Sequence, residues 1–292
     1  MEIKVYLNPN PVLRGEILTN PWDKKSEMKN NPFLEIVLCN FPLGEYNIEI
    51  LSPLFLKQKA IVTSSYASTY FLNPEFEDPF ISQVKLKVVG EKLKKELSLP
   101  VKIHKLTGRV FDFNENPFPA YIWATHEEKV VNEIIVKTDN EGRFTLYYSE
   151  EKKLRVFVDD ASYSKSTLEC WIIAKELRED MEINPHIGDF EFYDFNVWFS
   201  SGIWHIFFMP SSLKSLDSPP ELTKDDINVW INGMKAEIKS LIVHQEYTGK
   251  DKYYPACLLN VITKEKEFCS PVLVRAQVNS PEKGRGEAWY IY

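Results

Sequence analysis

The amino-acid sequence predicts an all-β protein made of three tandem β-sandwich domains. The first observation is a series of short runs rich in Val, Ile, Tyr and Phe and bounded by Pro, Gly, Asn and Asp. Examples are KVYL, FLEIVLC, YNIEIL, VKLKVV, FTLYY, LRVFV, INVWI and PVLVRAQV. The second is that long amphipathic helical patterns are nearly absent. The third is a length of 292 residues, which is long for one sandwich and suits two or three domains.

Two segments depart from this pattern and stay ambiguous. EKLKKELSL (91–99) is either a short helix or a charged hairpin. STLECWIIAKELRED (166–180) fits a helical period and a strand period, since Leu168, Cys170 and Ile172 recur at a spacing of two.

The chain divides into three blocks, which we expect to be residues 1–103, 104–180 and 181–292. The joints PVKIHKL (100–106) and MEINPHIGDF (181–190) contain no Gly/Ser-rich linker. Short joints of this kind favour domains that pack against one another over domains on a flexible tether.

The first block carries PVLRGE (11–16) near its start and PLGEY (42–46), a turn into a strand, further along. These motifs resemble those of an immunoglobulin-like or macroglobulin-like β-sandwich. The third block looks generically immunoglobulin-like. The resemblance implies a fold for both flanking blocks and no particular activity.

Two motifs mark the middle block, GRVFDFNENPFPAYIWA (108–124) and TDNEGRFTL (138–146). Their matching positions are Gly108, Val110, Asp112, Pro117, Pro119, Ala120, Ile122, Thr138, Asp139, Gly142 and Phe144. They resemble the pattern of the carboxypeptidase regulatory-like domain, also described as transthyretin-like or starch-binding-domain-like. Such domains are non-catalytic appendages, so the resemblance implies a sandwich and no peptidase activity.

Residue parity separates a core face from an outer face on these strands. The turn is DNEG (139–142), because Asp bonds to nearby backbone N–H groups and Gly accepts a positive φ. The residues that share the inward parity are Val110, Ala120, Ile122, Phe144 and Leu146. Tyr121 and Trp123 point the other way. Outward aromatics stack on sugar rings in some starch-binding-like relatives, so both are candidate ligand or domain-interface residues.

The stretch YDFNVWFSSGIWHIFFMP (193–210) predicts a hairpin, because Ser201-Gly202 lies between two apolar runs. In this register Phe199 faces Trp204, Val197 faces Ile206, and Phe195 faces Phe208. Side chains alternate along a strand, so all six lie on one apolar face, which we expect to be core.

The opposite face of the predicted hairpin is half polar. It pairs Trp198 with His205. It also pairs Asn196 with Phe207. We interpret this face either as an interface with a neighbouring domain or as an aromatic ligand platform. A shifted register would exchange the two faces.

Charge and hydropathy exclude two classes of partner. The formal net charge is −7 and no basic block is present, which argues against nucleic acid, since phosphate neutralisation needs clustered Lys and Arg. No run of 18 apolar residues occurs, so no membrane span is expected. No signal peptide is visible at the N-terminus. The localisation is therefore unknown: cytoplasmic by default, and extracellular if the chain is a mature form.

The four cysteines form no CxxC pair, so a zinc ribbon or a thioredoxin motif is unsupported. Cys257 and Cys269 flank a turn at TKEKE (263–267) and are either bonded to each other or two buried free thiols. The turn is off-centre between them, which favours the thiols.

A search for catalytic motifs is negative. The sequence contains no G-x-S-x-G, no H-E-x-x-H, no P-loop and no dinucleotide fingerprint. TDNEG lacks the alternating acidic ligands of a calcium loop. The adjacent carboxylates Asp159-Asp160 and Glu179-Asp180 are interpreted as solvated turns. No catalytic residue, cofactor or metal site is predicted.

These observations predict a non-catalytic β-sandwich protein that acts as a structural or binding scaffold, with an unknown protein or a polysaccharide as partner. The first alternative is a carbohydrate-binding accessory protein that uses exposed Trp and Tyr side chains. The second is an enzyme whose site forms between domains.

Overall fold

The computed structural model describes residues 1–10, 33–53, 55–64, 66–72, 80–126, 134–149, 154–175, 177–215, 218–264 and 268–292. Within these ranges all regular structure is β-strand, apart from a single 3-10 turn at Lys224–Asp226. The predicted all-β, multi-sandwich fold is confirmed. The described residues include no helix that is long and apolar enough to cross a membrane. The motif PVLRGE (11–16) lies outside them.

The first block is a sandwich of two antiparallel sheets, β1-β2-β5 and β4-β3-β6-β7. Its strands are β1 (Glu2–Asn8), β2 (Phe33–Cys39), β3 (Gly44–Ser52), β4 (Leu56–Val62), β5 (Tyr66–Leu72), β6 (Gln83–Val89) and β7 (Lys94–Pro100). Alternation places Val84, Leu86 and Val88 of β6 fully inside the core between the sheets. Because β7 falls in the ambiguous segment 91–99, that segment belongs to a strand pair and not to a helix.

The described part of residues 103–187 contributes nine strands, the last two of which lie beyond the predicted boundary at residue 180. They are β8 (Ile103–Arg109), β9 (Phe111–Asp112), β10 (Tyr121–His126), β11 (Ile134–Lys137), β12 (Arg143–Ser149), β13 (Leu154–Asp159), β14 (Cys170–Ala174), β15 (Met181–Glu182) and β16 (His186–Ile187). The ambiguous segment 166–180 is resolved by β14, which is buried along its whole length as a central strand would be.

The middle-block motifs have visible structural roles. A Cβ on Gly108 would lie 1.7 Å from the carbonyl oxygen of Ile183, so only glycine allows the close approach beside β15. Asp139 closes the predicted turn by accepting hydrogen bonds from the backbone N–H groups of Glu141 (2.9 Å) and Arg143 (2.8 Å). All five residues with the predicted inward parity are buried in one cluster.

The third block contributes eight strands. They are β17 (Phe190–Ser200), β18 (Ile203–Ser212), β19 (Ile227–Ile231), β20 (Met234–Lys235), β21 (Glu237–Gly249), β22 (Lys252–Ile262), β23 (Leu273–Ser280) and β24 (Gly284–Ile291). The hairpin β17-β18 continues into the four-stranded order β17-β18-β22-β21, which we call the hairpin sheet.

The middle and third blocks share one sheet. β14 pairs with β24 in parallel, from Trp171 opposite Ala288 to Ala174 opposite Ile291. This pairing joins strands of both blocks into an eight-stranded central sheet, in the order β11-β10-β13-β14-β24-β23-β19-β20.

The central sheet is covered on both faces. Ile172 of β14 packs in the cluster that includes β8 and β12, whereas Trp171 and Ile173 pack in the cluster that includes the hairpin sheet. The middle and third blocks together therefore form three layers of sheet, in which the central sheet lies between the β12-β8-β15 sheet and the hairpin sheet. In addition, β15 and β16 follow residue 180 but pair with β8 and β9 of the middle block.

Candidate binding face of the hairpin sheet

The hairpin adopts the register that its sequence predicts near the loop. Ser201 and Gly202 form the turn with φ values of 53° and 78°, which suits a two-residue hairpin loop. Trp198 pairs with His205, and the partner of Asn196 is Phe207. Within residues 196–207 the predicted pairs on both faces of the hairpin are thus confirmed.

The register shifts beyond this point, between Tyr193 and Asn196. Asp194 has a positive φ of 54° in this β-bulge. Phe195 therefore does not stand directly opposite Phe208 as predicted, although both side chains are buried. The extra residue keeps both phenylalanines in the core while it interrupts the ladder.

The inner face of the hairpin is core, with one exception. Val197, Trp204 and Ile206 are at most 2% exposed. Phe199 is 37% exposed, so the prediction of a core position is wrong for this residue. It lies next to the hairpin loop, where its ring contacts those of Trp204 and Phe268.

The outer face carries a hydrogen-bonded row across all four strands. Trp198, 37% exposed, stacks on His205 with ring centroids 5.1 Å apart and an angle of 15° between the planes. Nδ1 of His205 lies 2.7 Å from Oδ1 of Asn260, and Nδ2 of Asn260 donates to Ser240 at 2.8 Å. Nε2 of His205 lies 2.9 Å from the hydroxyl of Ser200. The His205 ring is therefore held on both sides beneath Trp198.

With the Asn260 amide in this orientation, one tautomer of neutral His205 satisfies both of its hydrogen bonds. Because the amide nitrogen of Asn260 donates to Ser240, its oxygen remains to accept from His205. The neutral ring then carries its proton on Nδ1, and Nε2 accepts from Ser200. The outer face therefore exposes the flat indole of Trp198, which stacks on the hydrogen-bonded imidazole of His205.

The next row on the same face is more apolar. Asn196 leads across the sheet to Phe207, Leu258 and Ile242, as the strand registers place them opposite one another. Ile242 on the edge strand is 48% exposed. The outer face thus combines an aromatic stack with an aliphatic strip and can contact a ligand with both polar and apolar groups.

The other two candidate residues lie elsewhere. Trp123 is 3% exposed, packs between the central and hairpin sheets, and donates to Oδ1 of Asp159 at 2.6 Å. Tyr121 is half-buried against the same cluster. Residue parity identified the side of the strand correctly, but the hairpin sheet covers that side, so an open sugar platform at Trp123 is excluded.

Two buried carboxylates lie between the same sheets. Asp159 binds the indole of Trp123, and Glu191 accepts from Nε1 of Trp171 at 2.9 Å. Burial raises the pKa of each carboxyl to about 7. The interpretation of Asp159 as a solvated turn residue is therefore wrong, because its strand continues under the hairpin sheet.

A second polar network lies on the other face of the central sheet. Glu287, fully buried, accepts from Nε of Arg275 (2.8 Å) and from the backbone N–H of His186 (2.8 Å). Burial opposes its ionisation, but the hydrogen bond from His186 and the charge of Arg275 outweigh burial and lower its pKa. Arg275 also lies over the rings of Trp230 and Trp289. Arg275, Glu287 and Trp289 belong to one hairpin, β23-β24, whereas only the long-range strand order brings His186 and Trp230 to them.

The remaining candidates are possible metal ligands and cysteine pairs. No group of three or more His, Cys, Asp or Glu that could hold a metal occurs among the described residues. All four cysteines are free thiols. Cys257 is buried as predicted, whereas Cys269 is exposed.

Comparisons with known proteins identify no family. No family model matches the chain. No curated protein matches it either. Among solved structures, a DUF3823 family protein from Parabacteroides merdae is 11% identical, with a TM-score of 0.24, covering 63% of this chain and 95% of that one. The group B streptococcus pilus 2b backbone protein is 7% identical, with a TM-score of 0.24, covering 54% of this chain and 93% of that one. Such low scores carry no argument about function.

Proposed function

We propose that this protein is a non-catalytic β-sandwich scaffold that binds a partner through the outer face of the hairpin sheet. The observation that carries the proposal is the exposed Trp198, stacked on a His205 ring that is hydrogen-bonded on both sides. A side chain held in this way loses little conformational freedom on binding, which favours affinity. Exposed aromatic anchors with polar neighbours are typical of binding surfaces.

The layered architecture supports the scaffold role. The central sheet runs through the middle and third blocks without a linker, because β14 pairs directly with β24. Main-chain pairing and burial on both faces oppose hinge motion between these blocks. Small-angle scattering is expected to fit one fixed arrangement of the two blocks. A broad distribution of distances between them would contradict the scaffold.

A carbohydrate is the second candidate partner. A sugar ring offers an apolar C–H face to an indole and hydroxyl groups to neighbouring polar side chains. Trp198 supplies the flat ring, and the exposed side chains of Asn196 and Ser200 lie beside it. The platform of this proposal is therefore Trp198, His205, Asn196 and Phe207, without Trp123.

We further propose that the middle block is a carboxypeptidase regulatory-like domain, with boundaries at 103/104 and 180/181. The close approach at Gly108 and the turn closed by Asp139 support this assignment, since both motifs serve the fold. Nothing in the assignment implies peptidase activity.

Affinity electrophoresis on soluble polysaccharides tests the carbohydrate proposal. The parent, Trp198→Ala and the matched control Tyr253→Ala are compared, because Tyr253 is also exposed (64%) on the hairpin sheet but lies at the start of β22, at the opposite end of that strand from Asn260. Retardation that is lost in Trp198→Ala and kept in the control supports a sugar platform. An unretarded parent on every gel would overturn it and leave a protein as the partner.

A further inference from the structure

The edge of the hairpin sheet opposite β17 is formed by β21, the longest strand among the described residues. Within these residues β21 pairs with β22 alone, so the backbone groups along its other edge have no strand partner. The register is regular from Ser240 to Tyr247, and it shifts on either side of this stretch. The 3-10 turn Lys224–Asp226 lies near β21 but forms no backbone hydrogen bond with it in the described structure. Residues 240–247, which we call the open edge, can therefore pair with a further strand.

The open edge lacks the features that usually keep a sheet edge from pairing with other chains. Such features are Lys and Pro residues, short length and bulges. In the first block, β4 carries Lys57 and Lys59, and β7 carries Lys94, Lys95 and Pro100. The edge strands of the central sheet, β11 and β20, are described over only four and two residues, and β17 is interrupted by its bulge. The open edge, in contrast, has the sequence SLIVHQEY, without Lys or Pro.

Apolar side chains are exposed on both sides of the open edge. Ile242 on the outer face is 48% exposed. Val243 and Tyr247 have the opposite parity and are 54% and 55% exposed. A strand added here would therefore form backbone hydrogen bonds and also bury apolar surface on both faces.

The charges of β21 favour a second copy of this chain as the partner. Two identical strands carry identical charges, so an uncompensated charge near the contact would repel its own copy. The ammonium of Lys239 donates to Glu237 at 2.6 Å, and Nε2 of His244 lies 3.1 Å from Oε2 of Glu246. The charged groups of β21 thus have polar partners on their own strand, and residues 240–243 between them carry no charge.

We infer that two copies of this chain pair in antiparallel orientation along the open edge, about a two-fold axis at Ile242. This register places Ile242 opposite its own copy, Leu241 opposite Val243, and Ser240 opposite His244. Apolar residues then meet apolar residues on both faces, and no like charges stand opposite one another. Because each copy covers the open edge of the other, the contact closes at a dimer.

The dimer joins the two hairpin sheets into one continuous sheet, with both outer faces on the same side. The two Trp198 side chains then lie about 30–35 Å apart, at roughly 4.8 Å for each step between neighbouring strands. A ligand with repeated units would contact both Trp198 rows at once. This advantage rests on the binding role proposed above, whereas the dimer itself does not.

Sedimentation equilibrium of the full chain, over about 1–200 µM, tests the dimer. A contact confined to one strand is at the small end of protein interfaces, so a Kd on the order of 10 µM is expected. Ile242→Lys places like charges opposite one another at the axis and is expected to weaken dimerisation at least tenfold, roughly. The matched control Ile61→Lys makes the same change at an exposed position (61%) of the edge strand β4 and should dimerise like the parent.

Hydrogen exchange of the parent locates the contact without a variant. Alternate amides of residues 240–244 are expected to exchange more slowly as the protein concentration rises, while amides of β4 stay unchanged. A parent that remains monomeric up to about 200 µM would overturn the inference. Equal dimerisation of Ile242→Lys and Ile61→Lys, or protection that does not include β21, would overturn it as well. The electrophoresis of Trp198→Ala is independent of these outcomes.

Discussion

The middle block is joined to the third by a shared sheet, whereas side-chain hydrogen bonds join it to the first. At the first junction, Asn10 donates to the carbonyl of Tyr147 (2.7 Å) and accepts from its N–H (3.0 Å). Ser149 likewise bonds to the N–H and the carbonyl of Leu7. At the second junction, β14 and β24 pair backbone to backbone.

The difference concerns what each junction buries. Asn10 substitutes for a strand, because its amide offers the same donor and acceptor as a peptide group. The second junction instead encloses an aromatic core that includes Trp123, Trp171 and Phe192. We therefore expect the middle and third blocks to unfold together and the first block to separate from them at lower cost.

The largest effect is expected for Trp171→Ala at the second junction. The change removes a buried ring that contacts Phe157 and leaves Glu191 without its indole donor. A loss of about 3–5 kcal/mol in the free energy of unfolding is expected, measured by urea denaturation. Trp171→Phe should cost about 1–3 kcal/mol, since it keeps one aromatic ring but removes the hydrogen bond and part of the buried surface.

The unfolding transitions of the middle and third blocks are followed separately, with hydrogen exchange at amides of each block. If the blocks are cooperative, Trp171→Ala shifts the transitions of the middle and third blocks equally. A shift confined to one block would show that the shared sheet does not couple them.

The next effect is a pH dependence located at the second junction. Asp159 and Glu191 have pKa values of about 7 in the fold, against 3.8 and 4.5 as ordinary values. The folded state therefore binds more protons between these limits, so the free energy of unfolding falls as pH rises from about 4 to about 7. A loss of about 3 kcal/mol for each of the two carboxyls across this window is expected.

The double variant Asp159→Asn/Glu191→Gln isolates this contribution. Its amide oxygens still accept from Trp123 and Trp171 but do not titrate. Its stability is expected to fall less than that of the parent over the same window, as measured by urea denaturation at each pH. Parallel pH profiles for the two proteins would refute the assignment to these carboxylates.

A smaller effect is expected at the first junction. Asn10→Ala removes both hydrogen bonds to Tyr147 and should destabilise the docking of the first block by about 1–3 kcal/mol. Hydrogen exchange at the Tyr147 amide measures it, and should accelerate while amides of β14 stay protected. Accelerated exchange in β14 as well would show that the two junctions are not independent.

Sequence reasoning recovers features that are local along the chain. The hairpin loop at Ser201-Gly202, the turn at Asp139 and the close approach at Gly108 each depend on neighbouring residues or on a short motif. The β14-β24 pairing does not, because it joins two apolar segments more than a hundred residues apart. Neither periodicity nor turn chemistry specifies which strand such a segment pairs with.

The same limit explains the errors at the candidate site. Parity places Trp123 on the outward side of its own strand, but the layer above that side comes from another block. The pair Asp159-Asp160 is typical of a solvated turn in the sequence, but the hairpin sheet covers Asp159 in the fold. Trp198 could be recognised because both of its contacts, the paired His205 and the nearby loop, lie within one hairpin.

The smallest effect is expected on the outer face of the hairpin sheet, which belongs to neither junction. Trp198→Ala removes a ring that stacks on His205 and is 37% exposed, so it should cost about 1 kcal/mol. Its matched control is Ile206→Ala on the opposite face of the same hairpin, where a fully buried side chain should cost about 2–5 kcal/mol. Urea denaturation of both variants compares the faces directly. Equal losses would mean that Trp198 stabilises the fold as a core residue does, and the binding role proposed for it would lose its basis.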